Sequence, residues 1–147
     1  MTESVCAALR LDEEILDSET GSISCEFRSR SDGNLFALRG ADGAGLELRI
    51  VGSSLVYEAT VPGRWSKLEA EDVRSLDDGR WHSAVVTVSS AGTRLYLDGY
   101  QVFCGTTTTF LKDLPGLTQA VVGQGDSPEV TAFTVHPRVL TSREVLA

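Results

Sequence analysis

The chain has 147 residues, 41% of them hydrophobic and 23% charged, with a formal net charge of −8. That length and apolar content suit one globular domain with its own core, and exclude a disordered chain. The acidic surplus argues against nucleic acid and anionic membranes, which both want basic patches. It does not exclude a small anionic ligand, because one or two local arginines outweigh the average field. All but two of the 13 basic residues, Lys67 and Lys112, are arginine, the better residue for a two-pronged grip on a carboxylate.

Strand signals run along the chain. Residues 5–9 are a short apolar run, and residues 10–17 suit a helical turn or a loop. Residues 21–29 alternate, with Ile23, Cys25 and Phe27 on one face. Asp32-Gly33 reads as a turn, residues 35–38 as a short run buried on both sides, and residues 42–45 as a second turn. Residues 46–50 alternate again: Leu46, Leu48 and Ile50 share one face, Glu47 and Arg49 the other. Residues 55–59 follow as the next strand. Residues 62–78, charged and irregular, read as a longer loop.

The densest signal is Asp77-Asp78-Gly79-Arg80-Trp81-His82 leading into residues 83–88, then residues 93–97 and Asp98-Gly99. Asp-Gly between apolar runs is a strong hairpin signal, because Gly accepts positive φ without steric cost. Val86, Val88, Leu95 and Leu97 then face one core, and Thr87, Ser89, Arg94 and Tyr96 face away. His82 is expected to be a structural hydrogen-bonder, Trp81 to support the hairpin, and Asp98 to form the turn. Residues 101–104 and 106–111 continue as short strands. Residues 119–123 and 130–135 follow after the break at Pro115-Gly116. Thr141 caps a final short helix, with Glu144 three residues on as its capping-box partner. Many short strands with regular turn signals predict an all-β fold, an antiparallel β-sandwich, as one domain over residues 1–147.

Cys6, Cys25 and Cys104 allow at most one bridge. Their spacing fits no zinc pattern, and small apolar core residues are the simpler reading. The N-terminus has no basic region followed by a long apolar run. An extracellular module cut from a larger protein fits this, and so does a cytoplasmic protein. No motif of nucleophilic, metal-dependent or phosphate-binding catalysis is present. No cofactor and no metal site are expected.

Several phrases occur in a telling order: Gly-Ser-Ile-Ser-x-Glu-Phe-Arg-Ser from Gly21, Leu-Glu-Leu-Arg from Leu46, Asp-Gly-Arg-Trp-His from Asp78, Leu-Tyr-Leu-Asp-Gly from Leu95, Phe-Leu-Lys-Asp-Leu-Pro-Gly-Leu from Phe110, Val122-Gly123, and an Arg-Val-Leu-Thr-x-x-Glu-Val tail from Arg138. The Trp-His, Tyr-x-Asp-Gly and tail phrases resemble laminin-G-like and concanavalin-A-like domains in general, which implies an antiparallel β-sandwich of jelly-roll, concanavalin-A-like type. With the Phe-Leu-x-Asp phrase and the Glu-x-Arg pair, residues 21 to the end resemble the sialic-acid-binding modules that accompany bacterial sialidases, carbohydrate-binding module family 40.

The resemblance implies a non-catalytic, lectin-like module that recognises terminal sialic acid and tethers a sialidase to its substrate. It implies an extracellular or cell-surface setting within a larger secreted protein, and a monomeric module. The family's Glu-x-Arg pair falls on Glu47 and Arg49. Arg49 is then the carboxylate anchor, Glu47 accepts from an amide or hydroxyl, and Tyr57 packs on an apolar patch of the sugar. The family's second Arg and its Tyr are absent from residues 124–129, an acidic stretch here. A second grip is either missing or supplied by Arg28, Arg30 or Arg39. Trp65, in a polar loop, is the better exposed aromatic candidate.

The plain alternative for Glu47 and Arg49 is a solvent-facing ion pair worth about 0–1 kcal/mol. The alternative function is a laminin-G-like protein-interaction or adhesion domain without a sugar site. A third, a free-standing glycosidase, would need two placed carboxylates from Glu69, Glu71 and Asp72.

Overall fold

The computed structural model of the chain describes residues 11–71, 73, 75–123 and 127–146. Among the described residues, ten strands form two five-stranded antiparallel sheets packed face to face. In chain order they are β1 (Gly21–Arg28), β2 (Gly33–Gly40), β3 (Gly45–Val51), β4 (Ser54–Val61), β5 (Arg64–Ala70), β6 (His82–Ser89), β7 (Gly92–Leu97), β8 (Tyr100–Gly105), β9 (Leu117–Val122) and β10 (Glu129–His136). The first sheet has the order β10-β1-β6-β7-β8, the second β5-β4-β3-β2-β9. The predicted antiparallel sandwich is therefore the fold. The expected strand over residues 5–9, Cys6 and Asp72 lie outside the described residues.

Period-two alternation builds the core. From the first sheet, Ile23, Cys25, Phe27, Val86, Val88, Leu95 and Leu97 point inward. They meet Leu46, Leu48, Ile50, Leu55 and Tyr57 of the second. Strand β2 is different: Leu35, Phe36, Ala37 and Leu38 are all at most 1% exposed, because a bulge before Phe36 and covering side chains bury both of its faces. This matches the reading of residues 35–38. Cys25 and Cys104 are both free; the first is buried, and desolvation pushes its thiol up to about 12.

Two expectations fail. Residues 62–78 were expected to be a loop, yet Arg64–Ala70 forms β5, an edge strand of the second sheet. An edge strand needs only one partner and one buried face, so Leu68 and Ala70 suffice to hold it while its other residues stay polar. Residues 106–111 were expected as a strand, but β8 ends at Gly105 and the chain runs on without a ladder to a 3₁₀ turn at Leu111–Asp113.

The helical turn of residues 10–17 is α1 (Glu13–Leu16), capped by the Asp12 carboxylate accepting from the Ile15 N–H at 2.9 Å. The C-terminal helix is α2 (Ser142–Leu146), and its capping box forms as read. The Glu144 N–H donates to Thr141 Oγ1 at 3.2 Å, and the Thr141 N–H to Glu144 Oε1 at 3.1 Å.

The hairpin β6–β7 also follows the sequence. Asp98 sits at φ 51° and accepts the Ser83 N–H at 2.9 Å. His82 is buried, with Nδ1 2.9 Å from Asp98 Oδ2 and Nε2 3.0 Å from Asp78 Oδ1, so it ties the turn before β6 to the turn after β7. Gly92, at φ 126°, is required: a Cβ there would lie 2.2 Å from the carbonyl oxygen of Gly105.

Candidate functional site

The outward residues of the second sheet gather its charge. The hairpin β3–β4 turns on Gly52 and Ser53, so that Val51 pairs with Ser54, Leu48 with Tyr57 and Glu47 with Glu58. Glu47 and Glu58 thus face each other directly, an unfavourable like-charge pair on its own. Arg49 resolves it. Its Nη1 donates to Glu58 Oε1 at 2.9 Å and lies 3.8 Å from Glu47 Oε2. Arg39, on the neighbouring β2, pairs with Glu47 from the other side.

Beyond Glu58 the network reaches the sheet edge. Lys67 stands opposite Glu58, and the Trp65 indole Nε1–H donates to Glu58 Oε2 at 2.5 Å. The Trp65 hydrogen bond, and then Arg49, hold the Glu58 carboxyl below its usual range. The side chains of Arg49, Glu47 and Glu58 are 20–26% exposed, half-sunk over the buried Ala37 and Val56. Nη1 makes both contacts of Arg49, and among the described residues Nε and Nη2 have no hydrogen-bond partner. That leaves one planar two-donor edge, the geometry that matches a carboxylate.

The residues named from the sequence divide accordingly. Glu47, Arg49 and Arg39 come together in one network. Tyr57 does not join them: it faces the core with 0% exposure, because its position is paired with the inward Leu48. Its ring cannot meet a sugar, and its hydroxyl is buried without a partner among the described residues. Arg28 lies on the other sheet, bonded to Glu129 Oε1 at 2.9 Å, with its guanidinium carbon 4.9 Å from the ring centroid of the half-exposed Trp81. Arg30 is also remote from Arg49, at the groove it shares with Arg28 and Ser127. Glu69 pairs with Lys67 at 3.4 Å.

Sequence reasoning left out Glu58, which holds both Arg49 and Trp65. The signal was present: a two-residue turn at Gly52-Ser53 sets the register, and counting outward from it puts Glu58 across from Glu47.

A family model described as the concanavalin A-like lectin/glucanases superfamily matches residues 6–145. The chain belongs to that superfamily. A search of curated protein sequences finds no match. Among solved structures, the chain is similar to the Ruminococcus gnavus IT-sialidase CBM40 bound to alpha2,3 sialyllactose, at 14% identity and a TM-score of 0.73, covering 90% of this chain and 83% of that one. It is similar to the botulinum neurotoxin type G receptor binding domain, at 13% identity and a TM-score of 0.64, covering 88% of this chain and 37% of that one. A SAP-like pentraxin from Limulus polyphemus gives 13% identity and a TM-score of 0.64, covering 88% of this chain and 69% of that one. At these identities the likeness is one of fold.

Proposed function

We propose that this protein is a non-catalytic glycan-binding module of the family-40 kind that recognises a terminal sialic acid on the outer face of the second sheet. The observation that carries the reading is the Nε/Nη2 edge of Arg49, without a partner among the described residues, on a guanidinium held by Glu47 and Glu58. A sialic acid offers one carboxylate, an amide N–H and several hydroxyls. Arg49 takes the carboxylate by two parallel charge-assisted hydrogen bonds, Arg39 adds positive charge beside it, and Glu47 accepts from the amide or a hydroxyl. The likeness in fold to a sialidase module solved with sialyllactose supports the same reading.

Such a site is shallow and grips one sugar with few contacts, so its own affinity is weak. Its use is to hold an attached enzyme, a sialidase or related glycosidase, near a sialylated surface, which raises the effective substrate concentration. This assigns the module to the outside of the cell as part of a larger secreted protein.

Titration with sialyllactose, followed by NMR shift perturbation, tests the reading. The wild type is expected to show saturable shifts around Arg49, and Arg49→Ala to weaken binding at least about tenfold, as expected for loss of a charge-assisted pair. Arg49→Lys keeps the charge but loses the two-donor edge, and is expected to fall between the two. Shifts that survive unchanged in Arg49→Ala would move the site elsewhere, and no shifts at millimolar sugar would overturn the reading.

A further inference from the structure

Trp65 is a large aromatic side chain, 63% exposed at the edge of the second sheet. An indole in that position ordinarily swings between rotamers, but here its N–H is bonded to Glu58, which is bonded in turn to Arg49. The ring is therefore held in a set orientation at the end of the charge network. Strands β3 and β5 are two strand spacings apart, and Trp65 is level with Gly45, four residues along from Arg49, so the two side chains root about 16 Å from each other. That is the reach of a short oligosaccharide rather than of one ring.

A groove begins at Trp65. One wall is the turn and first residues of β5, and the other is residues 106–109, four consecutive threonines. The threonine wall is anchored: the fully buried Thr93 donates through Oγ1 to the carbonyl oxygen of Thr107 at 2.7 Å, and Thr109 is itself buried. Thr106 and Thr108 are exposed, and their hydroxyls have no partner among the described residues. Arg64 and Thr108 line both this groove and a second one that leads to Lys112, so the two are continuous. The cations along this path are already matched, Arg64 to Asp113 at 3.3 Å and Lys112 to Glu19 at 2.8 Å.

A fixed indole face beside unpaired hydroxyls, with local charges neutralised, suits a neutral, polyhydroxylated ring with one apolar face. We propose that Trp65 and the wall at residues 106–109 form a second subsite, which takes the neutral pyranose linked to the anionic sugar at Arg49. The module then reads the end of an oligosaccharide rather than a single residue. This inference rests on the placement of the anionic sugar proposed above.

The test compares free sialic acid with sialyllactose on wild type, Trp65→Ala, Trp65→Phe and Arg49→Ala, with amide spectra confirming that each variant is folded. Wild type is expected to bind sialyllactose more tightly than sialic acid, with shifts at residues 106–109 only for the trisaccharide. Trp65→Ala should lose about 3- to 10-fold for sialyllactose, the scale of an aromatic stacking contact, and little for sialic acid. Trp65→Phe, which keeps a ring face but not the N–H, should retain most of that difference. Equal affinity of Trp65→Ala and wild type for sialyllactose overturns the subsite and leaves the Arg49 reading intact. Sensitivity to Trp65→Ala without sensitivity to Arg49→Ala keeps the subsite and overturns the Arg49 reading. No binding of sialyllactose by the wild type overturns both.

Discussion

At the scale of single residues, Tyr57 and Glu58 show how one strand sends neighbours to opposite fates. Tyr57 is enclosed by the core with a hydroxyl that has no partner among the described residues, and burial pushes its phenol well above the usual range. A buried hydroxyl without a hydrogen bond carries its desolvation cost uncompensated. Tyr57→Phe is therefore expected to raise unfolding stability by about 1 kcal/mol, read as a higher denaturation midpoint at unchanged slope. Glu58 behaves oppositely, because the Trp65 N–H and Arg49 favour its charged form. Its contribution is present above the ordinary carboxyl value of 4.5 and is lost as the pH falls through the lower value of the folded state. The Trp65 indole resonance should accordingly shift below pH 4.5 in the wild type and stay still over the same range in Glu58→Gln.

At the scale of elements, hairpin geometry decides which side chains form the charge network of the second sheet. The two-residue turn at Gly52-Ser53 places Leu48 against Tyr57 on the core face and Glu47 against Glu58 on the outer face. A slip of one residue would exchange the two sets. The C-terminal tail is fastened differently, by one buried side chain. Ser22 Oγ donates to the carbonyl oxygen of Arg138 at 3.0 Å and accepts the Leu140 N–H at 2.9 Å. Ser22 is fully buried on β1, so Ser22→Ala strands two backbone groups at once. It is expected to cost about 1–3 kcal/mol, and to speed amide exchange in residues 138–146 before that of the strands. The capping box of α2 is a weaker hold. Glu144, kept at about 2 by Arg138 and by the Thr141 N–H, lends its support above pH 4.5 and loses it as the pH falls through about 2.

At the scale of the whole molecule, the sandwich presents a sheet face on which Arg39, Glu47, Arg49, Glu58 and Trp65 come from four different strands. The proposed sialic-acid site is a weak one, and a weak site gains from repetition. A tandem of two copies joined by a flexible linker is expected to bind a densely sialylated surface 10²- to 10⁴-fold more tightly than one copy, with no gain for soluble sialyllactose. Surface plasmon resonance on immobilised sialoglycoprotein checks this, and an equal affinity of tandem and single copies would argue against the tethering role.

The architecture was largely legible in the residues. The Asp-Gly turns, the alternation in residues 21–29, 46–50 and 83–97, and the capping box at Thr141 are local signals, each set by backbone sterics or side-chain period. They survive folding because the core reinforces them. The outward facing of Glu47 and Arg49 was legible for the same reason. The strand β5, the coil at residues 106–110 and the burial of Tyr57 were not, because each depends on what lies alongside. An edge strand takes its ladder from a neighbour, a threonine run with good β propensity stays coiled where no strand is free to pair, and an aromatic's face follows from register across a turn. The sequence by itself determined the class of fold and the charged pair on one strand. The assembly of Arg39, Arg49, Glu58 and Trp65 into one network came from pairing β2, β3, β4 and β5, since side chains distant along the chain meet only when the sheet sets their register.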